Sequence, residues 1–122
     1  MPIQLQHDPS DRLIRTTATG VVTVSEFESH LAEVHRHGRH EVPELIDATA
    51  ADISAFSQRD ILSLADYARQ MFQENQMARR ALVVSSDETL GTARAFASCV
   101  AGWWRVGVFD DHAAAETWVR ES

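Results

Sequence analysis

Lysine is absent from this 122-residue chain, whose eleven basic side chains other than histidine are all arginine. That absence removes Schiff-base chemistry and the phosphate-binding lysine of P-loop proteins. Cysteine occurs once, at Cys99, so no internal disulfide can form and a reducing, cytoplasmic location is expected. The opening MPIQLQHDPS has neither a basic start nor an apolar signal core, and no apolar run approaches the ~20 residues of a membrane span. Missing too are a nucleophile elbow, a glycine-rich phosphate cradle, a paired-cysteine motif and a His-Glu-x-x-His helix. The chain thus offers no catalytic motif, and neither a cofactor nor a metal is expected. A serine hydrolase assembled from Ser57, a histidine and an aspartate is favoured by nothing in the spacing.

What is present is an acidic chain of ordinary domain size. Net charge is −7, with eighteen Asp and Glu scattered rather than blocked. Such a surface repels phosphate backbones and anionic headgroups, so neither nucleic acid nor a membrane is an expected partner. A chain of this length buries roughly two-thirds of its unfolded surface, enough for a core without disulfides or structural metal. No linker, low-complexity tract or internal repeat interrupts it, and residues 1–122 read as a single domain.

Strand and helix signals alternate along the chain. Ile3 and Leu5 alternate with glutamines, HDPSD is a turn cluster, and Leu13 to Val22 is rich in β-branched residues, which together predict a hairpin. Thr23 stands three residues before Glu26, a capping-box spacing, and opens an amphipathic helix that Gly38 stops. A strand from about Pro43 to Ala48 follows, carrying Asp47 near its end, and a helix from about Ser57 to Gln76 shows an apolar stripe of Ile61, Leu64, Ala65, Ala68, Met71 and Phe72. Arg80 to Ser85 reads as a strand buried on both faces. A helix from Asp87 to about Trp103, the strand VGVF and a helix capped by Asp110 or Asp111 complete the order ββαβαβαβα. The expectation is an α/β fold, a mixed five-stranded sheet with an N-terminal hairpin at one edge, its later repeats winding as a single-layer right-handed β/α superhelix.

The strand ending LIDAT before a Ser-capped helix, the TLGTAR segment and the closing VFDDHAAAETWV resemble bacterial STAS/SEC14-type domains. These are similar to sporulation anti-anti-sigma factors and to the CRAL-TRIO lipid-binding fold, and most have no assigned role. The resemblance implies a non-catalytic regulatory or protein-interaction module, or alternatively a small carrier or sensor for an anionic or apolar ligand.

The STAS likeness implies a switch serine at the helix start after the Asp47 strand, which falls on Ser57 or, less well, Ser54. A helix N-terminus suits a phosphate. Ala55-Phe56-Ser57-Gln58 stands where the family's signature reads Asp-Ser-Ser-Gly, and Ser57 with Asp60 also reads as an N-cap with its acidic partner. The SEC14 likeness implies a crevice at the strand C-termini. Its candidate ligand residues are Asp47, Thr49 and Asp52 after one strand, Ser85 and Ser86 after the next, and Gly91 and Arg94 on the following helix. The same side chains also serve as helix caps or surface ion pairs.

Three smaller features complete the reading. His30, Glu33 and His37 share one side of the first helix, but two turns separate the histidines, and a solvated polar flank is expected. Cys99, among Ala97, Val100 and Ala101, is expected to be buried and inert. Trp103 and Trp104, taken as adjacent helical positions about 100° apart, are hard to bury in one small core, which places one at a subunit interface or a pocket mouth, and a homodimer through this helix and the Trp pair is expected.

Overall fold

The computed structural model describes residues 2–8, 10–72 and 77–121. The elements are β1 (Ile3–His7), β2 (Ile14–Val21), α1 (Val24–Arg36), a short 3-10 turn (Arg39–Glu41), β3 (Glu44–Asp52), α2 (Gln58–Phe72), β4 (Arg80–Val83), α3 (Asp87–Val100), β5 (Val106–Phe109) and α4 (His112–Arg120). This is the expected order. The expected extension of α2 to Gln76 falls on residues 73–76, outside the described residues.

Local chemistry accounts for most boundaries. The side-chain hydroxyl of Thr23 accepts from the Glu26 N–H while Glu26 accepts from the Thr23 N–H, so α1 opens on a complete capping box. Gly38, at φ 66°, takes the left-handed conformation that turns the chain away after α1. Ser86 and Asp111 cap α3 and α4 in the same way, each accepting a backbone N–H of the first turn.

Strand order in the sheet is β1-β2-β3-β4-β5, with β1 antiparallel to β2 and every later pair parallel. Sequential parallel strands joined by crossovers of one hand must carry the crossover helices on one face. Accordingly α1, α2 and α3 form one layer, whose core joins Leu31, Val34, Leu64, Ala68, Phe72, Val100 and Trp104. Helix α4 follows the last strand and is free of that constraint. It covers the opposite face, where Ala115 and Val119 meet Leu13, Leu45, Ala81 and Val83. Leu45 and Ile46 therefore bury against different layers, as the period of two requires.

Three expectations need correction. Strand β3 does not stop near Ala48. It runs on to Asp52 because β2 continues to pair it, Thr19 with Ala50 and Val21 with Asp52, across a bulge that inserts one extra β3 residue between Asp47 and Ala50. Cys99 is exposed, since the buried stripe of α3 is Thr89, Ala93 and Val100 and the thiol lies about a quarter turn off it. Trp103 and Trp104 lie beyond the end of α3, so the helical angle between them does not apply. Their rings stack at 5.6 Å and 30°, and Trp104 is buried within the chain.

Candidate functional site

Beneath α1, α2 and α3 the sheet carries a charged cluster beside an apolar pocket. Period-two alternation puts Glu44 of β3 on the same face as Ile46, and Glu44 pairs in register with Arg80 of β4. Glu44 Oε1 forms an ion pair with Arg80, 3.2 Å from its Nε. Glu44 Oε2 accepts from Thr16 Oγ1 at 2.5 Å and meets His30 Nε2, from α1, at 2.7 Å. Arg80 donates its remaining nitrogens to backbone carbonyls, Nη1 to Val42 and Ala78 and Nη2 to Arg39. Glu44, Arg80 and His30 are 1%, 2% and 8% exposed.

Burial of this kind costs several kcal/mol per ion unless every polar atom finds a partner. Here the partners are found. Burial pushes the Glu44 carboxyl up, but the His30 charge and hydrogen bond, Arg80 and the Thr16 hydroxyl outweigh it and hold the group at about 2. Burial pulls His30 down, and the Glu44 carboxylate more than reverses that, so the imidazole sits above its ordinary value. The Arg80 guanidinium is lowered by burial, against the pull of Glu44. The cluster is thus turned inward, and its charges are spent on one another.

Next to it lies a pocket of about 70 Å³. Its floor is Glu44, Ile46, Arg80, Leu82 and Val106 of the sheet, and its walls come from all three helices with Ile53, Phe56 and Trp104. Phe27, Phe56 and Phe96 are half-buried where it approaches the surface. Among the described residues lining it, only Trp104 has a fully buried polar side-chain atom without a hydrogen-bond partner, the indole Nε1.

The residues expected to form a strand-end crevice are distributed differently. Asp47 stands within β3, accepting from the Thr49 N–H and hydroxyl, bonds that lower its pKa. Asp52 accepts from the Ser54 N–H. Ser85 donates to the Thr49 carbonyl at 2.8 Å, which ties the β4 end to β3. Ser86 is the α3 cap. Gly91 and Arg94 are exposed on α3, and Arg94 makes no ion pair among the described residues. None of the three described cavities is lined by any of these seven side chains. Ser57 and Asp60 cap α2 reciprocally, the Asp60 N–H donating to Ser57 Oγ at 3.1 Å and the Ser57 N–H to Asp60 Oδ2 at 2.9 Å. Ser54 and Ser57 are both exposed.

The expected histidine flank divides. Glu33 and His37 are exposed and pair with one another, whereas His30 turns inward to Glu44. The reason is phase: His30 precedes Leu31 and Val34, the residues that α1 buries, and shares their edge of the helix. Glu44 and Arg80 gave one usable signal, charged residues standing directly before the apolar runs Leu45–Ile46 and Ala81–Val83. Pairing them required the register.

No protein-family model matches the chain, and no curated protein does. Among solved structures it is similar to an uncharacterised protein of the DUF3478 family with a SpoIIAA-like fold, from Shewanella loihica. The likeness covers 96% of this chain and 91% of that one at a TM-score of 0.56 and 21% identity. At that identity the fold alone carries over, and the fold of this chain is SpoIIAA-like, of STAS type.

Proposed function

We propose that the protein is a non-catalytic sensor or carrier of STAS type that holds a small, mostly apolar ligand between its sheet and its three-helix layer. One observation carries this reading: an apolar pocket of about 70 Å³ between the sheet and the three helices, lined by Ile46, Leu64, Ala93 and the aromatic rings of Phe27, Phe56 and Phe96. Apolar surface left facing such a pocket gains about 25 cal/mol for each Å² that a ligand covers. The charged atoms of the neighbouring cluster are mutually partnered, so they call for no counter-ion. A neutral ligand suits the site better than an anionic one. The volume, about half that of the ~150 Å³ cavity that admits benzene, suits a few heavy atoms, or the end of a longer molecule leaving between Phe27, Phe56 and Phe96.

Native mass spectrometry of untagged protein from its own cells, paired with the denatured mass, tests this. Extra mass lost on denaturation is expected from the wild type, and its loss from Ala93→Leu, whose larger side chain fills the pocket. A bare wild-type mass, together with no thermal shift on adding small aromatic probes such as indole, refutes the reading. The alternative of a phosphorylated interaction module rests on the fold and on the exposed Ser57 and Ser54 hydroxyls; it would register in the same spectra as a phosphate increment surviving denaturation.

A further inference from the structure

We propose a second binding site, for a phosphoryl group carried on an aromatic or apolar body, in the groove at the edge where β2, β3, β4 and β5 begin. Open α/β sheets usually bind at the opposite edge. In this acidic chain of net charge −7, the groove gathers four guanidiniums, those of Arg12, Arg79, Arg105 and Arg120, against the carboxylates of Asp11 and Glu41. The strand order brings them together, since Arg12, Arg79 and Arg105 each stand just before a strand and Arg120 ends α4.

The four are not equivalent. Arg120 is committed to Asp11, at 3.1 and 3.3 Å, and to Glu116. Arg79 is held over the Trp118 ring at 4.9 Å and donates Nη1 to the Trp118 carbonyl, while its Nε is buried with no hydrogen-bond partner among the described residues. Arg12 and Arg105 are exposed, and neither pairs with a carboxylate among the described residues. Two guanidinium forks without carboxylate partners among the described residues line one groove, and a phosphate dianion is the group that can take a bidentate pair from each. A phosphate dianion offers three oxygens to the two forks, a carboxylate only two.

The groove also has an apolar side. Trp103 lines it together with Pro43 and Met77, and stacks on Trp104. A half-buried indole backed by a second ring is a rigid platform for an aromatic or flat apolar group. Open to solvent and about 980 Å³ in volume, the groove has room for both parts of such a ligand. Because Trp104 lines the interior pocket, the stacked indoles separate the two sites.

Titration calorimetry with inorganic phosphate and phenyl phosphate, beside cosedimentation with phosphatidylcholine vesicles with and without phosphatidic acid, tests the site. Phenyl phosphate should bind saturably and at least about tenfold more tightly than inorganic phosphate. Arg12→Gln with Arg105→Gln should weaken it at least about tenfold at unchanged thermal midpoint, since neither side chain has an internal partner to lose. Trp103→Leu should erase the preference for the phenyl ester. Sedimentation only with phosphatidic acid vesicles would identify a lipid headgroup as the source of the phosphate, and phenyl phosphate binding without sedimentation a soluble monoester; either supports the site. No saturable binding of any probe, equal affinity for the two phosphates, or binding that the double arginine variant leaves unchanged overturns it.

Discussion

Glu44 and Arg80 are register partners on neighbouring parallel strands and meet as an ion pair whose side chains are 1% and 2% exposed. Removing Glu44 leaves the Arg80 charge buried without a carboxylate, a loss of about 3–5 kcal/mol, and removing Arg80 leaves Glu44 with His30 and Thr16 alone, whereas removing both deletes the Glu44–Arg80 attraction only once. Urea unfolding should therefore show Glu44→Leu and Arg80→Met each strongly destabilised, and the double variant less destabilised than the sum of the two. Additive losses would mean that the pair is not coupled.

His30 adds a pH dependence whose sign follows from its direction of shift. Its folded pKa lies above the ordinary 6.5, so its contribution is fully present below pH 6.5 and is lost as pH rises through the folded value. Glu44 acts oppositely: its contribution is present above pH 4.5 and is lost as pH falls toward about 2. Stability from this cluster should peak between about pH 4.5 and 6.5. His30→Gln should flatten the decline above that window, measured as the change in urea midpoint with pH; an unchanged slope would place the titration elsewhere.

Gly107 of β5 allows α4 to approach the sheet. A Cβ there would stand 2.8 Å from Phe109 Cε1 and 3.0 Å from the Trp118 ring. Those rings pack together at 5.5 Å against the core that α4 closes, and cannot both retreat cheaply. Gly107→Ala should cost about 1–3 kcal/mol in urea unfolding. The near-isosteric change Gly102→Ala, where a Cβ meets nothing within 4 Å, is the control and should be nearly neutral.

Elements were legible in the sequence wherever a local device sets them. The Thr23–Glu26 box, Gly38, Ser57 with Asp60, and the Asp111 cap are each contained within a few residues, and each holds. What the sequence concealed depends on distant neighbours. Strand β3 outruns Ala48 because β2 is there to pair it, and His30 is buried because Glu44 waits fourteen residues on. The pocket needs three helices and three strands at once, and the arginine groove needs strands whose starts come together only in the folded sheet. No periodicity in one segment encodes such convergence.

Ser57 illustrates how a local device constrains a regulatory reading. Its hydroxyl oxygen accepts the Asp60 N–H, so Ser57→Ala should cost about 1 kcal/mol by removing the α2 cap. Aspartate is an equally good cap. Ser57→Asp should leave stability within about 0.5 kcal/mol of wild type, measured by thermal unfolding. A large loss in Ser57→Asp would show that a negative charge at this position opens the α2 start, which a phosphate there would do as well.

Cys99 provides the test of the expected homodimer. Gly91, Ala95 and Ser98 leave a smooth, exposed strip on α3, and Cys99, one turn beyond Ala95, is exposed beside it. Trp104 is committed to the core, so only Trp103 remains for the interface that was expected to use both indoles. If two copies pair through this strip, the thiol is shielded as concentration rises. Its rate of reaction with a disulfide reagent should then fall in step with an increase in light-scattering mass, and Ala95→Glu should restore both the monomer and the fast rate. A thiol that stays equally reactive while the mass doubles would move the interface off α3. A mass that stays monomeric at high concentration would remove the homodimer altogether.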